Sequence, residues 1–245
     1  MCLIKGLNIP TTRILFFSIS RRIEIRPNRA TVKSIMRFLL ATNNQHKHRE
    51  MTAICSPHEV LLPEDFGIHF EFEETGDTFF ANSFGKAHAL LHLFSTHDGR
   101  DTATRIDAVI ADDSGISVDA LNGAPGVYSA RFGMSDDGKL LSQDEQNNLL
   151  LEKLRSVNDR AAHYTCNMTA ALPADRFVSV QETWHGTIAE TPTQADGGFG
   201  YDPIFLLRDT STYAAELTAQ EKHRVSHRGK ATRTLIAALA TMDRG

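Results

Sequence analysis

"ADDSGISVDALNGAPGVYSARF", residues 111–132, decides how this chain is read. An apolar run beginning at Asp107 leads into two adjacent aspartates, Asp112 and Asp113; then Gly123-Ala-Pro-Gly126 marks a turn before a single cation, Arg131. A short apolar run closed by turn residues predicts a strand over 107–114. In extended backbone successive side chains leave on opposite faces, so one aspartate can face a site while the other bonds elsewhere. By itself such an acid pair reads more readily as solvated strand-end acids beside a surface turn.

Working outward, Arg37–Thr42 reads as a buried strand, and Asn43 onward as a helix with Met51 and Ile54 inward, capped by Thr42 or Asn43. That strand-to-helix junction leaves backbone N–H groups free for an anion. Asn82–Phe94 carries Phe84, Ala87, Leu90, Leu91 and Phe94 at helical spacing, with Asn82 and Lys86 sharing the polar face. Ser142 to Glu145 forms a capping box ahead of Leu150, Leu154 and Val157. His163–Ala171 and Phe177–Glu190 read as strands, the second turning near His185-Gly186, followed by a strand at Ile204–Leu207 and a closing helix from Gly229. Helix and strand alternate early and strands cluster later, which predicts an α/β fold with a mixed sheet. The polar stretch Ser95–Arg105 reads as a surface loop within one domain.

A chain of 245 residues with 41% hydrophobic and 23% charged residues is long enough and ordinary enough to bury one large core. The net charge of −4 is uneven: residues 1–37 hold eight basic side chains against Glu24 alone, a local +7 that leaves −11 for the remainder. An acidic body argues against nucleic acid as a partner, and no apolar stretch is long enough to span a membrane. The basic leader, residues 1–36, resembles either a transit peptide directing the chain to mitochondria or an upstream extension of a chain starting at Met36, with a cytoplasmic protein the expectation. Cys2, Cys55 and Cys166 form no CxxC pair, which suits a reducing compartment.

The residue types that carry chemistry are acids, cations and one glycine-rich loop. Glu71, Glu73, Glu74 and Asp77 lie in one stretch and Asp112 and Asp113 in another; Mg²⁺ is commonly held by one or two carboxylates together with phosphate oxygens. Lys47, Lys86, Arg131, Lys222, His227 and Arg228 are each unremarkable as surface charges, but together they suit a triphosphate. "DGGFGYDP", residues 196–203, lets backbone approach a ligand closely and offers Phe199 as a flat face. No GxxxxGK[ST], HExxH, GxSxG or strand-following GxGxxG is present. His88 and His92 have helical metal-ligand spacing without a third ligand nearby, which favours ordinary surface histidines.

Five segments in order, "LATNNQHKHREM", "FEETGDTFFANSFGKAHA", "ADDSGISVDALNGAPGVYSARF", "GGFGYDPIFL" and "AAELTAQEKHRVSHRGKA", resemble the Ham1 family of inosine/xanthosine triphosphate pyrophosphatases. The resemblance implies a long mixed central sheet with two α/β lobes flanking a substrate cleft, and a homodimer. It implies hydrolysis of purine nucleoside triphosphates such as ITP, dITP and XTP to monophosphate and pyrophosphate, with Mg²⁺ as cofactor and Mn²⁺ able to substitute. Carried over by position, Thr42, Asn43, Asn44, Gln45, His46 and Lys47 cradle phosphates. Glu73 and Asp113 hold the metal, with Asp113 also the general base, while Lys86, Ser114 and Arg131 contact the nucleotide. Phe199, Gly200, Tyr201, Asp202, Lys222, His227 and Arg228 bind the base and its surroundings. Asn43 stands where the family's turn usually has glycine, His46 where a small residue is common, and Ala81 where many relatives carry glutamate. Two other readings share these residues: a Maf-like pyrophosphatase for other modified nucleotides, and a module that binds nucleotide without turning it over.

Overall fold

The computed structural model describes residues 35–97, 105–135, 137–208 and 210–242. The basic leader up to residue 34 and most of the loop expected over 95–105 lie outside the described residues.

Six strands form one sheet in the order β2-β1-β3-β4-β5-β6: β1 (Arg37–Leu40), β2 (Glu59–Leu61), β3 (Ala108–Val118), β4 (Ala161–Leu172), β5 (Arg176–Ile188) and β6 (Phe205–Leu207). β2, β1 and β3 run parallel, and β3 to β6 pair antiparallel, which is the mixed sheet expected from the element order. Among the described residues five α-helices accompany it: α1 (Gln45–Cys55), α2 (Phe79–Thr96), α3 (Gln143–Lys153), α4 (Ala219–Val225) and α5 (His227–Thr241).

Parity along the central strands sorts the core into layers. Phe38, Leu40, Ile110, Cys166 and Met168 pack with Met51 of α1 and Leu235 of α5. Leu39, Val109, Ala111 and Ala171 point the other way and meet Ala87 and Leu90 of α2. Farther along, Ile116, Tyr164 and Trp184 make a separate cluster with Leu150 and Leu154 of α3 and with Ile204 and Phe205. Cys55 and Cys166 are buried free thiols within the first cluster.

Two local expectations change. The turn anticipated at His185-Gly186 is absent, and β5 runs straight through it, with Gly186 paired to Leu207. A Cβ at Gly186 would collide with the Leu206 carbonyl and the Phe205 ring, so the glycine serves close strand approach. The cap of α1 is Asn44, whose side chain accepts from the N–H groups of His46 (2.9 Å) and Lys47 (3.2 Å). Positive φ outside glycine occurs among the described residues only at Asn122, Ala174 and Asp175, so Asn43 replaces a glycine without left-handed backbone. Its side chain instead donates to the Phe70 carbonyl at 2.9 Å.

Candidate active site

The site begins where β1 ends. The last pairing of β1 with β3 is Leu40 with Ile110, yet β3 continues against β4 as far as Val118. From Asp112 to Ser114 β3 therefore has no strand on this edge; farther along, Ser129 Oγ accepts from the Ile116 N–H and Pro125 bridges Ser117. The chain leaves β1 through Thr42–Asn44 and enters α1 on one face, while α2 covers the other. Such a branch at the carboxyl ends of parallel strands is a topological switch point, where open α/β sheets take their ligands.

Asp112 and Asp113 divide between those faces. Asp112 is 2% exposed and accepts from Arg228 Nη2 (3.1 Å) and Nε (3.2 Å), with Lys47 Nζ at 3.2 Å. Burial alone would raise its carboxyl, but Lys47, Arg228 and Lys86 outweigh burial and hold it far below the usual carboxylate range. Asp113 accepts from Asn82 Nδ2 at 2.9 Å and from the Ser114 N–H at 2.9 Å. Burial first, and the neighbouring Glu74 second, push Asp113 up to about 6, against the pull of Asn82 and the lysines. Adjacent residues of one type thus become a permanent anion and a group poised near neutrality.

The carboxylate facing Asp113 belongs to Glu74. Lys86 of α2 pairs with Glu74, and Arg131 donates to the Glu74 carbonyl at 3.0 Å. Glu73, expected as the ligand, is exposed, because side chains alternate along this extended segment and its neighbour takes the inward position. Arg131 rests against Tyr128 and braces the acidic segment. Asn82, one turn before Lys86, also binds the Gly76 N–H at 2.8 Å, tying the acidic loop to α2.

On the opposite face lies a pocket of ≈ 200 Å³ lined by Ser114, Tyr164, Phe199, Asp202, His227 and Arg228, among others. Asp202 accepts from the Phe199 N–H (2.7 Å), Lys222 Nζ (2.5 Å) and Tyr164 Oη (3.3 Å), so its first role is to shape the loop around Phe199. Lys222 Nζ lies 4.6 Å from the Phe199 ring centre, the Arg228 guanidinium 5.6 Å, and the His46 ring 5.8 Å. His227 stacks parallel on Tyr164 at 4.6 Å. Burial, then Arg228 and Lys222, keep it neutral, and its Nδ1 is buried without a partner. Tyr201 is turned inward, donating to the Ser129 carbonyl at 2.8 Å, and the Gly200 carbonyl accepts from Asn147 at 3.2 Å. Ser114 Oγ sits between Arg228 Nη2 (2.8 Å) and Asp112 (3.3 Å). Asn43 and Gln45 line a different cavity, with Phe70 and Pro63.

The residue missing from the sequence reading is Glu50. It bridges Lys222 (3.5 Å) and Arg228 (2.6 Å), completing an alternating series Asp202–Lys222–Glu50–Arg228–Asp112–Lys47 from the aromatic pocket to the turn before α1. Its spacing of three from Lys47 put both on one helix face, and that was the available signal.

The donor set near Asp113 suits a hard divalent cation. Glu74 and Asp113 offer only oxygen, and their mutual repulsion shows in the raised Asp113 carboxyl. Among the described residues no group of three or more His, Cys, Asp or Glu side chains is gathered to hold a metal unaided. A Mg²⁺ here would draw further oxygens from its substrate, as Mg²⁺ commonly does.

Comparison with known proteins agrees with this architecture. The model of the Ham1 family matches residues 38–238. A dITP/XTP pyrophosphatase of Treponema denticola is 45% identical over 196 residues, covering 80% of this chain and 94% of that protein. One from an Exiguobacterium species is 40% identical over 212 residues, covering 86% of this chain and 100% of that protein. Among solved structures, a HAM1 protein from Coxiella burnetii superposes with a TM-score of 0.70 at 33% identity, covering 85% of this chain and 100% of that one.

Proposed function

The chain belongs to the Ham1 family, and from that membership we propose that it hydrolyses non-canonical purine nucleoside triphosphates, dITP, ITP and XTP, to the monophosphate and pyrophosphate. The observation that carries the reading is the division of Asp112 and Asp113 across the free edge of β3, one anchoring the cationic pocket and the other facing Glu74, Asn82 and Lys86.

In this reading the base stacks on Phe199 in the donor-rich pocket, where Lys222 and Arg228 suit a 6-oxo group. A site built from donors rejects a base presenting an amino group more strongly than an apolar pocket could. The triphosphate passes the edge of β3 toward Thr42–Asn44 and Lys47, where the turn into α1 presents backbone N–H groups. Asp113 takes a proton from water as its oxygen bonds to the α-phosphorus; the bond from that phosphorus to the bridging oxygen breaks, and pyrophosphate leaves beside Lys86 and Lys47. Asp113 and Glu74 would hold Mg²⁺, with Mn²⁺ able to replace it, and the ion supplies neutralisation of phosphate charge. Serving as both ligand and base is compatible for Asp113, whose two carboxylate oxygens can divide the roles.

The assembly that goes with this reading is a homodimer, supported by the exposed rings of Phe80 and Phe177 around Phe84 on the outer side of α2 and β5. Sedimentation at the mass of one chain would remove the dimer. The activity is tested by release from dITP, ITP, XTP and GTP with and without Mg²⁺. Pyrophosphate and monophosphate are expected from the first three with Mg²⁺ present; orthophosphate alone, or no release, overturns the assignment.

A further inference from the structure

Consecutive residues of α2 grip residues that stand opposite one another on neighbouring strands. Asp113 of β3 pairs with Asn167 of β4, so both side chains leave the same face of the sheet. Asn82 Nδ2 donates to Asp113, and Ser83 Oγ donates to Asn167 Oδ1 at 2.6 Å. Asn167 Oδ1 also accepts from Ser179 Oγ of β5 at 3.0 Å; Thr169 Oγ1 donates to Ser179 Oγ at 3.0 Å and lies 2.9 Å from Ser83 Oγ. Ser83 and Thr169 are fully buried and Asn167 is 5% exposed, so water is poorly placed to replace a lost hydroxyl.

The other contacts of α2 with the sheet are packing contacts, through Ala87 and Leu90 on Val109, Ala111 and Ala171 and, at its outer margin, through the rings of Phe84 and His88 on Phe177. Apolar packing is non-directional and leaves a helix some freedom to slide or rotate. The hydroxyl network supplies the direction that packing lacks, at the residue adjoining Asn82 and one turn before Lys86. We propose that Ser83, through Asn167, is a positioning residue for the reaction, fixing Asn82 and Lys86 against Asp113 and Glu74. This rests on the hydrolase reading only for its kinetic consequence; the geometric part stands apart from it.

The test uses the full chain and the variants Ser83→Ala, Asn82→Ala and their combination. In metal-free protein the Asn82 side-chain amide resonance, identified by its loss in Asn82→Ala, is expected to shift in Ser83→Ala, with hydrogen exchange about tenfold faster. An unchanged amide overturns the proposal. With dITP and Mg²⁺, well below the thermal transition, Ser83→Ala is expected to lower kcat about tenfold with KM nearly constant, and to cause no further loss once Asn82 is alanine. The same loss in both backgrounds means ordinary packing and also overturns it. Should Ser83→Ala not fold, Ser179→Ala, at the half-buried end of the network, carries the same two measurements with smaller effects of the same pattern. If the wild-type chain releases no pyrophosphate, the functional reading falls while the amide measurement still decides the positioning role.

Discussion

Asp112 and Asp113 begin from one intrinsic acidity and end far apart because of what each face of β3 presents. Asp113→Asn should cut pyrophosphate release at least about 100-fold, the scale of losing a general base. Stability offers a second readout with a definite sign. A carboxyl whose folded pKa is raised binds its proton more tightly in the folded state, so its cost to stability is complete above about 6 and vanishes below the unfolded value near 4. Relative to Asp113→Asn, metal-free wild-type protein should therefore gain up to about 3 kcal/mol between pH 7 and pH 4 in denaturant titrations. A difference that stays constant across that window would falsify the assignment of the raised carboxyl to Asp113.

At the scale of elements, Gly115 lets the Pro125–Arg131 segment lie directly on β3. A Cβ there would collide with the Gly126 carbonyl and Ser129 Oγ, and Ser129 in turn holds Ile116 (2.8 Å) and Tyr201 (2.8 Å). Gly115→Ala is expected to cost about 1–3 kcal/mol by overpacking and to raise KM more than it lowers kcat, because a wall of the pocket moves with the segment. Equilibrium unfolding together with dITP kinetics would reveal this; a variant with wild-type stability and KM contradicts the tight approach. The elements themselves were largely legible: alternating strand and helix periods located β1, α1, α2, β3 and α3, and parity correctly separated Asp112 from Asp113. Glu73 came from the resemblance alone; it is exposed while its neighbour Glu74 lies beside Asp113 and Lys86, and which acid of this unpaired segment faces inward is set by the packed loop that Asn82 ties at Gly76. Gly186 was misread because a glycine that permits close strand contact and a glycine that turns the chain look alike in one dimension. Glu50 escaped notice because its partners, Lys222 and Arg228, lie more than 170 residues away.

Across the whole molecule, the series from Asp202 to Lys47 joins the aromatic pocket around Phe199 to the turn before α1. Its buried charges compensate one another, so removing one member strands its neighbours. Glu50→Gln keeps the shape but leaves Lys222 and Arg228 short of an anion, and should destabilise the fold by about 3 kcal/mol while raising KM about tenfold. Thermal unfolding and kinetics decide this; an unchanged KM would show that the two halves of the site act independently. The short first strand has a broader consequence. Because β1 stops at Leu40, the edge of β3 at Asp112–Ser114 carries no strand, and in the reading proposed above that gap is the aperture through which one molecule touches both sides of a single sheet. Lengthening β1 by two or three residues would zip that aperture shut and leave a sturdier ribbon with every reactive side chain in place and nowhere for a ligand to thread.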